Sequence, residues 1–240
     1  MAFEEALALG IHYVETDVHL TEDGVLVAHH DDTVDRTTNG IGRIADRTYA
    51  DLARLDAGYR FTFDGNHFPF RGEGLTIPTL ADVFALSSRL RLNVELKPKG
   101  RHAVRRLWEF VDQRGLHDRI LVAAENDVQV RRFRRYSAAR VATSAGRTEA
   151  FRFWAMTRLG LDRVHPVAFD ALQVPVTYKG LTVIDKSFIR AAHRHGLQVH
   201  AWTIDEPSEM RRLLNLGVDG IMSDLPERLS PLKARRTEPF

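Results

Sequence analysis

Glu15 and Asp17 lie two residues apart in a segment, 11–18, that reads as a β-strand. Side chains so spaced on a strand share one face, roughly 7 Å apart along the chain, and two carboxylates so placed can share one hard cation that prefers oxygen ligands. The chain then runs through Asp23-Gly24 to His29-His30-Asp31. If Asp23-Gly24 is a two-residue hairpin turn, Asp17 stands opposite His30, with Cβ atoms about 5 Å apart. A metal site with a histidine beside it is the chemistry of phosphate-ester or other hydrolysis. Taken alone, the segment also fits an exposed hairpin with ordinary surface charges. Further along, Asn93-Val-Glu95-Leu-Lys97-Pro98 puts a third carboxylate and a cation on one strand face. Acidic side chains are scarce inside a barrel unless paired or bound to metal, so three emerging from apolar strands are better explained by an ion. Lys97 has a second role open to it, as salt-bridge partner of Glu95.

The elements that must position these groups follow a regular pattern. Residues 1–10 read as the end of an amphipathic helix closed by Gly10, and 33–70 contain no long periodic element. A helix is expected to about Ser88 with Thr79 as its N-cap. Strand–helix units then alternate: strands at 91–96, 119–123, 140–144, 169–174, 197–203 and 219–223, with helices near 101–114, 127–136, 148–159, 186–195 and 207–216. This alternation indicates a parallel sheet with helical crossovers. Together with 11–18, seven parallel strands are expected, one fewer than a closed (β/α)₈ barrel needs.

At 240 residues, with 44% hydrophobic and 28% charged residues, the chain has the size and composition of one soluble α/β domain. We expect a single domain over 1–232, with 19–76 as an insertion segment and 233–240 as a disordered tail. Its 34 basic and 32 acidic residues leave a net charge of only +2, which argues against a dedicated nucleic-acid binder. No cysteine is present, so disulfides and thiolate metal sites are excluded, which fits a cytoplasmic location. No apolar run approaches the roughly 20 residues of a membrane span. The basic clusters 101–106 and 131–135 are expected on solvated helix faces. Among the remaining histidines, His12 and His19 are read as facing away from the carboxylates, and His193, His195 and His200 as surface or core groups. Arg36 is expected to pair with Asp31 or Asp35.

Several signatures together resemble the glycerophosphodiester phosphodiesterase family. They are Glu15-x-Asp17 followed by His30-Asp31, Asp35-Arg36-Thr37-Thr38-Asn39-Gly40, Ile77-Pro78-Thr79-Leu80, Asn93 to Lys97, Val199-His-Ala-Trp-Thr203 and Gly217 to Asp224. The resemblance implies a TIM-type (β/α)₈ barrel with an insertion after its second strand. It implies Glu15, Asp17 and Glu95 as ligands of Ca²⁺ or Mg²⁺, His30 as one of two catalytic histidines, Lys97 as a phosphate contact and Trp202 as an aromatic wall of the substrate pocket. The implied reaction is hydrolysis of a small glycerophosphodiester to an alcohol and sn-glycerol 3-phosphate. A lysophospholipase D-type activity and a non-catalytic phosphate-binding barrel are the alternatives. His29 competes with His30, since a one-residue register slip exchanges their faces; His30 is favoured because it precedes Asp31, as in the family pattern.

The sequence departs from that pattern at its start. The family's first strand, ending in His-Arg-Gly, and the Glu-Asn-Thr that follows it have no counterpart, and Met1 to Gly10 resembles the end of the first helix. Residues 1–240 alone are therefore expected to be poorly soluble or inactive. Ala124-Glu125-Asn126 also replaces a Ser-Phe-Asp-like stretch, which bears on specificity more than on chemistry.

Overall fold

A computed structural model describes residues 1–164 and 166–235. In chain order its elements begin with α1 (Ala2–Ala8), β1 (Tyr13–Leu20), β2 (Leu26–Ala28), α2 (Tyr49–Leu52), α3 (Leu80–Ala85), β3 (Arg91–Leu96) and α4 (Arg101–Gln113). There follow β4 (Ile120–Ala123), α5 (Asp127–Ser137), β5 (Ala142–Thr143), α6 (Arg147–Arg158), β6 (Ala171–Val174), β7 (Thr177–Tyr178) and β8 (Leu181–Thr182). The last are α7 (Lys186–Arg194), β9 (Gln198–Ala201), α8 (Pro207–Leu216), β10 (Gly220–Ile221) and α9 (Pro226–Leu229). Every strand expected from the alternation forms, most of them shorter than expected. The antiparallel strand β2 is the return strand of the hairpin around Asp23-Gly24, and the β7–β8 hairpin is additional. A 3₁₀ turn at Ser230–Arg235 takes up the start of the expected tail, and residues 236–240 lie outside the described residues.

The chain divides into two compact units, Glu15–Ile120 and the remainder, Met1–Val14 with the residues from Leu121 onward. In the latter, parallel pairing runs from β4 to β5 (Leu121 with Ala142) and on through a bridge from Ser144 to Ala171. It continues from β6 to β9 (Leu172 with Val199) and from β9 to β10 (His200 with Gly220). Helices α5 to α8 make the crossovers. Pro207 opens α8, and Gly217, at φ +111°, closes it in the left-handed region that favours glycine. Phe153, Phe188, Leu172 and Val199 are fully buried in the core of this unit. One expectation fails here: Arg134, in the basic cluster of α5, is buried rather than solvated. It pairs with Glu149 at 2.8 and 2.9 Å and donates to Thr143 Oγ1 and the Ser144 carbonyl, so its charge and donors are satisfied without water.

In the unit Glu15–Ile120, β2 runs antiparallel to β1, and the amide of Lys97, just past β3, donates to the Val18 carbonyl. Alternation is clean on β3: Leu92, Val94 and Leu96 are buried, while Asn93 and Glu95 are half-buried on the other face. Thr79 caps α3, accepting from the Asp82 amide while Asp82 accepts from the Thr79 amide. Helix α4 buries Ala103, Val104, Leu107 and Val111 on one stripe, and Arg106 on α4 donates to the Gly24 carbonyl at 3.0 and 3.2 Å.

The insertion is not a loose excursion. Val27, Val34, Ile44, Leu52 and Ile77, each at most 1% exposed, form a small core of their own. Each fully buried side chain contributes roughly 1.5–3 kcal/mol, so the segment is anchored at five positions although it has little regular structure. Gly58 seals it, because a Cβ there would lie 2.2 Å from the Phe70 carbonyl oxygen.

Candidate active site

Strand parity brings the acidic groups together. Glu15 and Asp17 project from one face of β1, and Glu95 from the matching face of β3. One carboxylate oxygen from each lies within 4.8 Å of the others. Lys97 Nζ sits among them, 2.8 Å from Asp17 Oδ1 and 3.1 Å from Glu95 Oε1. The salt-bridge role open to Lys97 is thus present, with Asp17 as well as Glu95. Burial disfavours the charge on Lys97, but the hydrogen bond to Asp17 and the charges of Glu95 and Asp17 outweigh it, so its pKa is raised. An all-oxygen set of three carboxylates is the donor chemistry of Ca²⁺ or Mg²⁺, and these residues fit such an ion.

The hairpin that carries the histidines differs from expectation. The register pairs Val18 with Ala28 and His19 with Val27, one residue away from the pairing a two-residue turn would give. Thr21 causes the change. Its amide donates to the Val25 carbonyl and its hydroxyl accepts from the Val25 amide, so 21–25 close a longer loop around Asp23-Gly24. By ladder position His29 is then opposite Asp17, and its amide donates to the Asp17 carbonyl. Yet β2 has ended at Ala28, and beyond it the pleat no longer decides which way side chains point. His29 Nδ1 donates to the Asp31 carbonyl at 2.9 Å, which leaves Nε2 to accept from the Thr37 hydroxyl at 2.9 Å. Its ring is used up in holding the loop.

His30 is differently placed. Its side chain is 73% exposed, with Nε2 4.0 Å from Asp17 Oδ2. Nδ1 donates to Asp31 Oδ1 at 2.7 Å. Arg36 clamps the same carboxylate, Nε to Oδ2 at 2.6 Å and Nη2 to Oδ1 at 3.0 Å. First Arg36 and then His30 hold the Asp31 carboxyl well below the usual carboxylate range. Of the two partners expected for Arg36, Asp31 is taken, and Asp35 instead accepts from the Gly42 amide. With Nδ1 tied to a carboxylate, a neutral His30 leaves its Nε2 lone pair free for proton transfer.

A model of the glycerophosphoryl diester phosphodiesterase family matches residues 1–228. The chain belongs to this family. It is similar to the glycerophosphodiester phosphodiesterase of Caldanaerobacter subterraneus, with 30% identity over 95% of this chain and 88% of that protein. Its fold matches that of the glycerophosphoryl diester phosphodiesterase domain of a Mycobacterium tuberculosis protein at a TM-score of 0.83, with 18% identity over 97% of this chain and 92% of that one. A second structural match is an Oleispira antarctica phosphodiesterase solved with its product sn-glycerol-3-phosphate. Its TM-score is 0.74, with 26% identity over 96% of this chain and 88% of that chain. The fold class is therefore the α/β, TIM-barrel class of this family.

One residue stands apart from the expectations drawn from sequence. His19 was expected to face away, yet it shares parity with Glu15 and Asp17, and the alternation rule applied to 15, 17 and 19 was signal enough to place it. It is buried, and its Nε2 donates to the His30 carbonyl at 3.2 Å. Burial lowers the pKa of His19, against the opposing effect of that bond. Trp202 lies just past β9, with 43% of its surface exposed.

Proposed function

We propose that the protein hydrolyses small glycerophosphodiesters to an alcohol and sn-glycerol 3-phosphate, using a divalent cation, Ca²⁺ or Mg²⁺, held by Glu15, Asp17 and Glu95. The observation that carries this reading is the meeting of those carboxylates within 4.8 Å, with Lys97 among them and the exposed His30 beside Asp17. The names of the family relatives, and the product bound in one of them, support the substrate class. When bound, the cation supplies positive charge against the phosphoryl oxygens and acidifies a coordinated hydroxyl or water. Lys97, kept protonated by its carboxylate neighbours, adds a second positive group for the phosphate. His30 Nε2 takes the proton from the attacking oxygen, or returns one to the leaving alkoxide, while Asp31 holds the ring in the required tautomer. Trp202 is assigned to the wall that receives the alcohol.

Residues 1–232 act as one catalytic domain in this reading, since the family match spans both compact units. No described helix is long and apolar enough to cross a membrane, and the cytoplasm is the proposed location. Calorimetric titration with Ca²⁺ and Mg²⁺, on the full-length protein and a Glu95→Gln variant, tests the site. Binding should weaken by at least about tenfold in the variant, with loss of glycerophosphocholine hydrolysis. Undiminished affinity removes Glu95 from the ligand set, and hydrolysis that persists in excess chelator removes the cation from the reaction.

A further inference from the structure

The ladder between β1 and β2 stops at the Val18–Ala28 pair, so His30 lies on a segment without sheet pairing of its own. That segment is nevertheless tied down at three consecutive residues. The His29 amide donates to the Asp17 carbonyl at 3.0 Å, and the Asp31 carbonyl accepts from His29 Nδ1 at 2.9 Å. Between them, the His30 carbonyl accepts from His19 Nε2 at 3.2 Å. Only the last of these bonds reaches His30 through its own backbone, and its donor side chain is rooted in the strand that carries Glu15 and Asp17. His19 is 6% exposed and set in β1, whereas His30 has its ring in solvent. The buried partner therefore positions the exposed one.

We propose that His19 is a positioning residue for the reaction assigned above. Its Nε2–H, bonded to the His30 carbonyl, fixes the distance between the His30 imidazole and the carboxylate cluster. A carbonyl only accepts, so the hydrogen must be on Nε2. Asp31 sets the rotation of the His30 ring, and His19 sets where the residue stands. Both are needed, because an error of about 1 Å in a reacting group can cost about 10²-fold in rate.

This role rests on the proposed activity, and the experiment separates the two. His19 is replaced by Leu, which keeps the apolar packing, by Asn, whose amide stops one bond short, and by Gln, whose amide nitrogen reaches where Nε2 does. In the full-length protein, the Leu and Asn variants should lose about 10- to 100-fold in kcat, with KM, Mg²⁺ affinity and melting temperature nearly unchanged. The Gln variant should recover to within about threefold of wild type, since it alone restores the donor. Side-chain ¹⁵N NMR of the wild-type protein should show the His19 hydrogen on Nε2. Wild-type kcat in the Leu variant, a Gln variant as impaired as Leu, or a ring protonated on Nδ1 alone would each overturn the proposal. A wild-type protein without hydrolytic activity overturns the functional reading and the role of His19 in it, while the tautomer still decides whether the contact is made.

Discussion

Replacing Asp31 with Asn keeps the shape of the clamp on His30 and removes its charge. In the wild type, Asp31 Oδ1 accepts from His30 Nδ1 and Arg36 Nη2, and Oδ2 accepts from Arg36 Nε at 2.6 Å. An amide has one oxygen for these two positions. Arg36 is always charged and only donates; its shorter bond, from Nε at 2.6 Å, claims the amide oxygen, so the amide nitrogen takes the Oδ1 position, the exposed Arg36 turns its Nη2 to water, and the His30 ring meets a donor. Nδ1 must then accept, the ring hydrogen moves to Nε2, and the lone pair needed for proton abstraction points away from Asp17. The equivalent swap in a serine protease triad, whose aspartate is buried, costs about 10⁴ in kcat. His30 is 73% exposed, and water can compete for either nitrogen, so we expect about 10², or roughly 2.7 kcal/mol of barrier. The assay is steady-state release of sn-glycerol 3-phosphate from glycerophosphocholine by the full-length protein, with calorimetric Mg²⁺ titration alongside. KM and metal affinity should stay near wild type, since Glu15, Asp17 and Glu95 are untouched. A variant with kcat within about threefold of wild type, against the 10⁴ precedent, refutes the tautomer argument. A parallel fall in metal affinity shows that Asp31 acts on the carboxylates instead.

Two further outcomes concern stability. His200 on β9 is buried, with Nε2 donating to Gln198 Oε1 and Nδ1 accepting from Gln173 Nε2, and burial pushes its pKa down to about 4 against the opposing charge of Asp219. Below its unfolded pKa of about 6.5, the unfolded chain takes up a proton that the folded chain refuses until about pH 4. Stability should therefore fall as pH drops through that window, by about 2 kcal/mol between pH 7 and 5. Urea unfolding at both pH values checks this, and a His200→Gln variant should lose that share of the slope. In the insertion, Gly58→Ala drives a methyl group against the Phe70 carbonyl, at a cost of about 1–3 kcal/mol; limited proteolysis should then cut within 59–75 far faster than in the wild type.

How much of this was legible depends on how local the determining physics is. Strand–helix alternation, the Thr79 cap, Pro207 and Gly217 are written in adjacent residues, and each stands where the sequence put it. The convergence of Glu15, Asp17 and Glu95 was legible too, because period-2 parity fixes which side chains share a face once the strands are known. The β7–β8 hairpin was overlooked although its signal is local. Lys179-Gly180 takes positive φ at both positions, 49° and 80°, the two-residue turn that suits a twisted hairpin. The core of the insertion could not be read, since its five side chains come from positions with no common period and meet only once the chain has folded.

The histidines mark where parity stops being enough. Asp23-Gly24 is a strong two-residue turn signal, and it lost to a threonine two positions earlier whose hydroxyl bonds the Val25 amide at 2.8 Å. That single side-chain bond moved the register by one and, by the alternation rule, should have exchanged His29 for His30. It did not, because the strand ends at Ala28 and side-chain bonds take over from the ladder beyond it. His29 is drawn inward by Thr37 and the Asp31 carbonyl, and His30 is left exposed under the hold of Asp31 and Arg36. Which of the two rings stays exposed is thus decided by the bonds to Thr37, Asp31 and Arg36, and not by the hairpin. The determinants of the two ring positions lie in the residues that brace them rather than in the strand pairing.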